Sequence, residues 1–141
     1  MSRKHSFRPL AACALGLLFL TGCSGAGNNS TAEAWKIRKV QKGKASYYSI
    51  RCNGGTQTAS GERLRNDALT AAHKTLPMGT KVRVINLANG KSEIVTINDR
   101  GPYIRGRIID VTIGVAKRLD FLNRGVVPVK VEVLEPAEHK S

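Results

Sequence analysis

Aromatic side chains are scarce in this 141-residue chain: one Trp, three Tyr and three Phe. Stacking platforms for bases or sugars are therefore few. Cysteine is rarer still, with Cys13, Cys23 and Cys52 and no CxxC pair among them. That argues against a disulfide framework and a structural zinc site. No apolar run reaches the roughly 20 residues of a spanning helix. The longest, Leu10 to Leu20, has eleven. Acids are outnumbered, 10 against 23 Lys and Arg, for a formal charge of +13. What remains is the composition of a soluble globular protein, 41% hydrophobic and 23% charged, in a length that suits one domain.

The amino terminus reads as an address. Arg3, Lys4 and Arg8 precede the apolar run, with no acid among them, as in a secretory signal peptide. The run closes on Leu20-Thr21-Gly22-Cys23, which resembles the lipobox of bacterial lipoproteins. The resemblance implies cleavage before Cys23, diacylation of its thiol and acylation of the new amino group. The bland alternative is an ordinary signal peptide with a cysteine at its cleavage region. Several acyl chains on one residue anchor a protein stably where one would not. Ser24, rather than Asp, after the cysteine implies the periplasmic face of the outer membrane, with a cell-membrane lipoprotein as the fallback.

Four segments are expected: signal peptide 1–22, lipidated flexible tether 23–42, folded domain 43–135 and tail 136–141. Processing would leave 20 basic against 10 acidic residues, a charge of +10. Cys52 would be the one free thiol, either a buried small hydrophobe or an intermolecular linker. Ser24 to Ala34 is rich in Gly, Asn, Ser, Thr and Ala, a tether composition. Lys36, Arg38, Lys39, Lys42 and Lys44 then cluster beside Trp35. They read either as a solvated basic linker or as a patch for anionic lipid heads or cell-wall peptide carboxylates. An exported chain has no nucleic acid to meet, so the basic charge does not point there.

The domain reads as all-β. Val127, Val129, Val131 and Val133 alternate strictly with other residues, the clearest strand pattern in the chain. Lys81 to Leu87 alternates in part, and Glu93 to Ile97 is a β-branched run. Asn89-Gly90 between them suits a tight turn, because both tolerate positive φ. Ala45 to Ile50 and Arg107 to Val111 are weaker strands. One helix is expected, capped by Thr112, with Val115, Leu119 and Leu122 on one face and Gly125 at its end.

Five stretches carry a resemblance: Thr58-Ala59-Ser60-Gly61-Glu62, Leu69 to Pro77 around His73, Asn86-Leu87-Ala88-Asn89-Gly90, Asn98-Asp99-Arg100-Gly101-Pro102, and Arg107-Ile108-Ile109-Asp110. In this order they resemble the rare lipoprotein A (RlpA) family over residues 43–134. That implies a six-stranded double-psi β-barrel with one or two short helices. It also implies a lytic transglycosylase of septal type, cutting the MurNAc–GlcNAc bond of peptidoglycan on strands stripped of stem peptides. Glu62, His73 and Asp99 match the family's catalytic residues. Two local departures are visible: Ser46-Tyr47-Tyr48-Ser49 stands where Ser-Trp-Tyr-Gly is usual, and Cys52 lies where a His-Gly pattern is usual. Many members also carry a SPOR domain, whereas here six residues follow Glu135.

A lytic transglycosylase protonates the leaving glycosidic oxygen, then deprotonates the muramoyl 6-hydroxyl that attacks C1. One carboxyl group can do both, unlike the two-carboxylate scheme of ordinary glycosidases. Asp99, before a Gly-Pro turn, is the expected acid/base; its plain alternative is an aspartate that caps the turn and pairs with Arg100. Glu62 is either its catalytic neighbour or a surface glutamate. His73 either bonds a carboxylate or sugar, or is held by backbone. Asp110 is the rival carboxylate, or a residue favouring the helix that follows. Arg100, Arg107, Tyr48 and Asp110 are the candidate substrate contacts. No metal or other cofactor is expected.

Two non-enzymatic readings compete: an expansin-like peptidoglycan-binding module, and a lipoprotein docking on divisome partners. Cys23→Ala is predicted to leave an unlipidated precursor, because no other thiol lies near the cleavage site. Metabolic labelling with a fatty-acid analogue checks it, and label retained on the variant would remove the lipobox argument.

Overall fold

The computed structural model describes residues 34–49 and 57–137. Cys13, Cys23, Cys52 and the signal-peptide assignment fall outside the described residues. Six strands and one helix follow in chain order: β1 (Trp35–Tyr48), β2 (Thr70–His73), β3 (Lys81–Asn86), β4 (Ser92–Asp99), β5 (Arg107–Thr112), α1 (Ile113–Arg118) and β6 (Val127–Pro136). They close into a barrel in the order β1-β5-β2-β4-β3-β6. The β1/β5 and β2/β4 pairs are parallel and the other four antiparallel. Closure gives every strand two neighbours, although Trp35 to Gly43 of β1 pair with β6 alone and β5 joins β1 only from Lys44 onward.

Alternation builds the core. Val82 and Val84 from β3, Val95 and Ile97 from β4, Ile109 and Val111 from β5, and Val127, Val129 and Val131 from β6 are all buried together. Full burial of such a side chain is worth about 1.5–3 kcal/mol. Ala45 and Ala71 contribute from β1 and β2. Between the inward valines of β6, Glu132 sits opposite Arg83 in register and pairs with it at 2.9 Å, and with Lys130 at 3.0 Å.

The tether expected over 23–42 ends sooner. Trp35 to Lys42 form the first part of β1, paired with β6 from Pro136 to Lys130. Most side chains along this stretch are exposed, so its apolar periodicity is silent. Backbone pairing alone makes it a strand. Ala137 N–H closes the pair onto the Ala34 carbonyl at 2.8 Å, so the ordered domain begins earlier than the expected boundary at residue 43.

The β3–β4 connection is also longer than a two-residue turn. Only Gly90 takes a positive φ, of 77°, and Asn89 does not. Residues 87–91 form the loop, closed by Asn86 N–H to the Lys91 carbonyl and Gly90 N–H to the Asn86 carbonyl. Asn86, 1% exposed, donates to the Leu119 carbonyl and accepts from Ala88 N–H. Asn89 donates to the same Leu119 carbonyl. The loop is thereby docked on the residue that ends α1.

The helix is shorter than its periodicity suggested. Thr112 caps it, its hydroxyl accepting from Val115 N–H, and Leu119 ends it. Gly125, with φ 73°, closes the following turn instead. Val115, Ala116, Leu119 and Phe121 join the barrel core.

One clasp sets the approach to β2. The Thr112 hydroxyl donates to the Ala68 carbonyl at 2.6 Å, and Gly114 N–H to the Asn66 carbonyl at 2.8 Å. A Cβ on Gly114 would lie 2.9 Å from the Asn66 oxygen and 3.0 Å from the Asp67 Cα. Both are backbone atoms with no rotamer to yield. Gly114→Ala is therefore expected to cost about 1–3 kcal/mol, and thermal melting would fall by about 4–8 °C per kcal/mol in a domain of this size. A melting temperature equal to the parent's would show the clasp to be loose.

Candidate active site

Strand register places the acidic residues. Ser46 of β1 pairs with Asp110 of β5, Asp110 with Ala72 of β2, and Ala72 with Asp99 of β4. Residues directly opposite one another in a sheet share a face. These four therefore form one row across four adjacent strands. A register shift between Ala71 and Ala72 makes Asp99, rather than Asn98, the partner of Ala72. Neighbouring residues Ala45, Ala71, Ile97 and Ile109 point into the core, so the row lies on the outer face. Asp99 and Asp110 stand two strands apart, about 10 Å between backbones, with one methyl group between them.

Asp99 ends β4 and is half-buried. Its Oδ1 accepts from Ala59 N–H and Arg100 N–H, each at 2.8 Å. Its Oδ2 takes no hydrogen bond among the described residues. One oxygen thus orients the carboxyl and the other is available to a ligand. The expected alternative, a pair with the Arg100 guanidinium, is not formed: Arg100 Nη1 donates to the His73 and Leu76 carbonyls at 3.2 and 2.8 Å. Arg100 braces a turn, which corrects its assignment as a substrate contact at that nitrogen.

Glu62 is brought to the same strand end. Its Oε2 accepts from Asn98 Nδ2 at 3.2 Å, one residue before Asp99. The loop that carries it is cinched by Thr58 N–H to the Glu62 carbonyl and Ser60 N–H to the Asn98 carbonyl, and the Gln57–Arg63 bridge pairs its two ends. The same loop supplies Ala59 N–H to Asp99. Glu62 remains exposed, a carboxylate beside Asp99 that faces solvent.

Tyr48 lies against Ala72 and Leu64 in a small apolar cluster of its own. It is 6% exposed, and its hydroxyl has no hydrogen-bond partner among the described residues. Thr70 is close, outside hydrogen-bonding geometry. Burial, reinforced by the nearby Asp99 and Asp110 carboxylates, pushes the phenol up to about 12. It stays neutral at any working pH, an unspent donor beside both carboxylates.

Asp110 is committed more fully. Its Oδ1 accepts from the Ser46 hydroxyl and from Arg107 Nη2, the latter at 2.6 Å, and Arg107 also reaches Ser46. The first turn of α1 has no acidic residue, so Asp110 serves this pair and not the helix. Arg107, proposed as a substrate contact, has its charge neutralised by Asp110.

His73 is not brought to a carboxylate. It is 3% exposed. Nδ1 accepts from Thr75 N–H and Leu76 N–H at 3.2 and 3.1 Å, so the proton sits on Nε2, which donates to Gln41 Oε1 at 2.9 Å. The backbone-held alternative is the one observed. The imidazole closes the 73–76 turn, whose carbonyls hold Arg100, whose N–H holds Asp99. It is a positioning residue at one remove from the carboxyl.

Some members of the site were not singled out as functional: Ser46 against Asp110, Asn98 under Glu62, and Tyr103, 78% exposed on the loop that leaves Asp99. Asn98 and Ser46 lay inside the stretches that carry the family comparison, and Tyr103 stood out as an aromatic beside a Gly-Pro turn in a chain with few aromatics. Among the described residues no group of three His, Cys, Asp or Glu is placed to hold a metal.

A closed six-stranded barrel with a half-buried carboxyl at the end of β4 and an exposed one beside it is a double-psi β-barrel domain with a candidate active site. The sequence profile described as lytic transglycolase matches residues 40–131. A probable endolytic peptidoglycan transglycosylase RlpA of Nostoc sp. is 52% identical over 103 residues, covering 72% of this chain and 28% of that one. The endolytic peptidoglycan transglycosylase RlpA of Neisseria meningitidis serogroup A is 46% identical over 113 residues, 80% of this chain and 47% of that one. The chain thus spans between a quarter and a half of these relatives. Solved structures of like fold include Streptomyces papain inhibitor, at TM-score 0.56 and 24% identity over 70% of this chain and 97% of the other. Clavibacter michiganensis expansin follows at TM-score 0.56 and 20% identity, over 71% and 53%. This chain belongs to the RlpA family.

Burial, then the charges of Arg100, Lys39 and Lys74, hold His73 below its ordinary value of 6.5. The folded domain therefore binds fewer protons than the unfolded chain near that pH. Its contribution to stability is present above about pH 6.5 and is lost progressively as pH falls through and below that value. His73→Asn keeps a carbonyl acceptor for the turn amides and removes the titration. Its melting temperature is expected to vary less than the parent's between pH 7.5 and 5; equal slopes would show that His73 titrates freely.

Proposed function

We propose that this chain is an endolytic peptidoglycan lytic transglycosylase that cuts the MurNAc–GlcNAc bond and leaves 1,6-anhydro-MurNAc ends. The carrying observation is Asp99: a carboxyl oriented through one oxygen, open at the other, on the outer face of the barrel and with Glu62 and Tyr48 beside it. Family membership supports the same reading, since relatives carry the name of that activity. A fold neighbour, an Asp-to-Asn variant of the Clavibacter expansin, was solved with cellohexaose, which is consistent with glycan held by such a barrel.

In this reading the glycan lies along the outer face over Tyr48, between Asp99 and Asp110. Asp99 gives its proton to the glycosidic oxygen, the C1–O4 bond breaks, and the GlcNAc 4-hydroxyl leaves. Positive charge at C1 and the ring oxygen is met by the Asp99 carboxylate and by Glu62. Asp99 then takes the proton of the muramoyl 6-hydroxyl as O6 bonds to C1. Atoms balance without water. Strands lacking stem peptides are the proposed substrate, as the family resemblance implies. Lipid on Cys23 would hold the domain at the periplasmic face of the outer membrane, within reach of the wall and of divisome proteins.

Asp99→Asn should abolish cleavage, by about a hundredfold or more, with the melting temperature unchanged, since amide replaces carboxyl at nearly equal volume. Digestion of peptidoglycan in heavy-oxygen water tests the chemistry. Unlabelled anhydro ends are expected. Labelled reducing ends would instead make Asp110 the base of a hydrolase, and an absence of fragments would favour the expansin-like binding module.

A further inference from the structure

A second concavity lies away from the carboxylate row. The start of β1, the β2–β3 connection, the start of β3 and the end of β6 enclose a groove of about 620 Å³, and none of its lining residues belongs to the Ser46–Asp110–Ala72–Asp99 row. Its walls are mostly apolar, with Trp35, Leu76, Pro77 and Leu134 prominent. Arg38, Lys39 and Lys81 also line it. Lys81 donates to the Thr96 hydroxyl, while Arg38 and Lys39 have no ion-pair partner among the described residues. The single acid of the groove, Glu135, faces Lys36 at 3.9 Å. Two free cations over an apolar floor call for a ligand with carboxylates and small apolar groups.

The shape chooses among such ligands. A bilayer surface would meet a convex or flat patch, whereas a volume of this order is that of a pocket for a short ligand segment. We propose that this groove binds a short acidic peptide, its carboxylates on Arg38 and Lys39 and its small side chains on Trp35 and Pro77. Taking that peptide to be the stem of the cell wall rests on the proposed function. The groove would then hold the domain on peptide-bearing wall while the carboxylate row works on bare glycan nearby. Leu76 joins the two places: it lines the groove, and its amide and carbonyl engage His73 and Arg100.

Trp35 is the only tryptophan of the chain, so its emission reports on the groove directly. The full-length chain is titrated with the free tetrapeptide alanyl-γ-glutamyl-diaminopimelyl-alanine, following Trp35 emission with calorimetry alongside. Saturable binding is expected. It should weaken about tenfold or more when Arg38→Gln and Lys39→Gln are combined, and likewise when the peptide carboxylates are amidated. Asp99→Asn should bind the peptide as the parent does, and the Arg38/Lys39 double variant should still cut bare glycan. Peptide binding without any cleavage by the parent would sink the transglycosylase and spare the groove. Absence of binding by both methods, equal binding of the amidated peptide, or an emission change only with phosphatidylglycerol vesicles would overturn the proposal.

Discussion

Ala72 pairs on one side with Asp110 and on the other with Asp99, and the geometry of the site descends from that double pairing. β2 is only four residues long, yet it lies between β4 and β5 and sets the carboxylates of these two consecutive strands on one face at a fixed spacing. It depends on barrel closure, because β2 pairs in parallel with β4 and antiparallel with β5. A parallel pair cannot come from a hairpin. The row is thus a property of the whole barrel. The register shift beside Ala72 turns Asp99 outward, as strand irregularities near functional sites commonly re-aim a side chain.

Around this row the polar groups divide into those that build and those left free. Arg100, Asn98, His73, Arg107 and Ser46 spend hydrogen bonds on backbone or on one another. Their partners are the loop of Glu62, the 73–76 turn and Asp110. Asp99 Oδ2, the Tyr48 hydroxyl, Asn98 Oδ1 and Arg107 Nε have no hydrogen bond among the described residues, and Glu62 stays exposed. A buried donor without a partner is costly, and the Tyr48 hydroxyl next to two carboxylates is such a donor.

The chain also separates two kinds of surface. Asp99 and Glu62 present acid at the end of β4, whereas the groove by Trp35 is apolar and cationic. Both are joined by the turn that His73 closes.

Much was legible before the structure. The valine alternation of β6, the β3 and β4 patterns and the Thr112 cap follow from local rules, because side-chain period and capping chemistry are written in neighbouring residues. Motif order identified the family and singled out Asp99, Glu62 and His73. Three things were not local. The first half of β1 hid its strand because its side chains stay in solvent and only its backbone pairs. The role of His73 depended on Gln41, 32 residues away. The commitment of Asp110 depended on Ser46, 64 residues away. Residue types and their order determined the family and the candidate carboxyls; register across the closed barrel decided which of them keeps an oxygen without a hydrogen bond among the described residues, because hydrogen bonds between distant strands occupy some groups and leave others open.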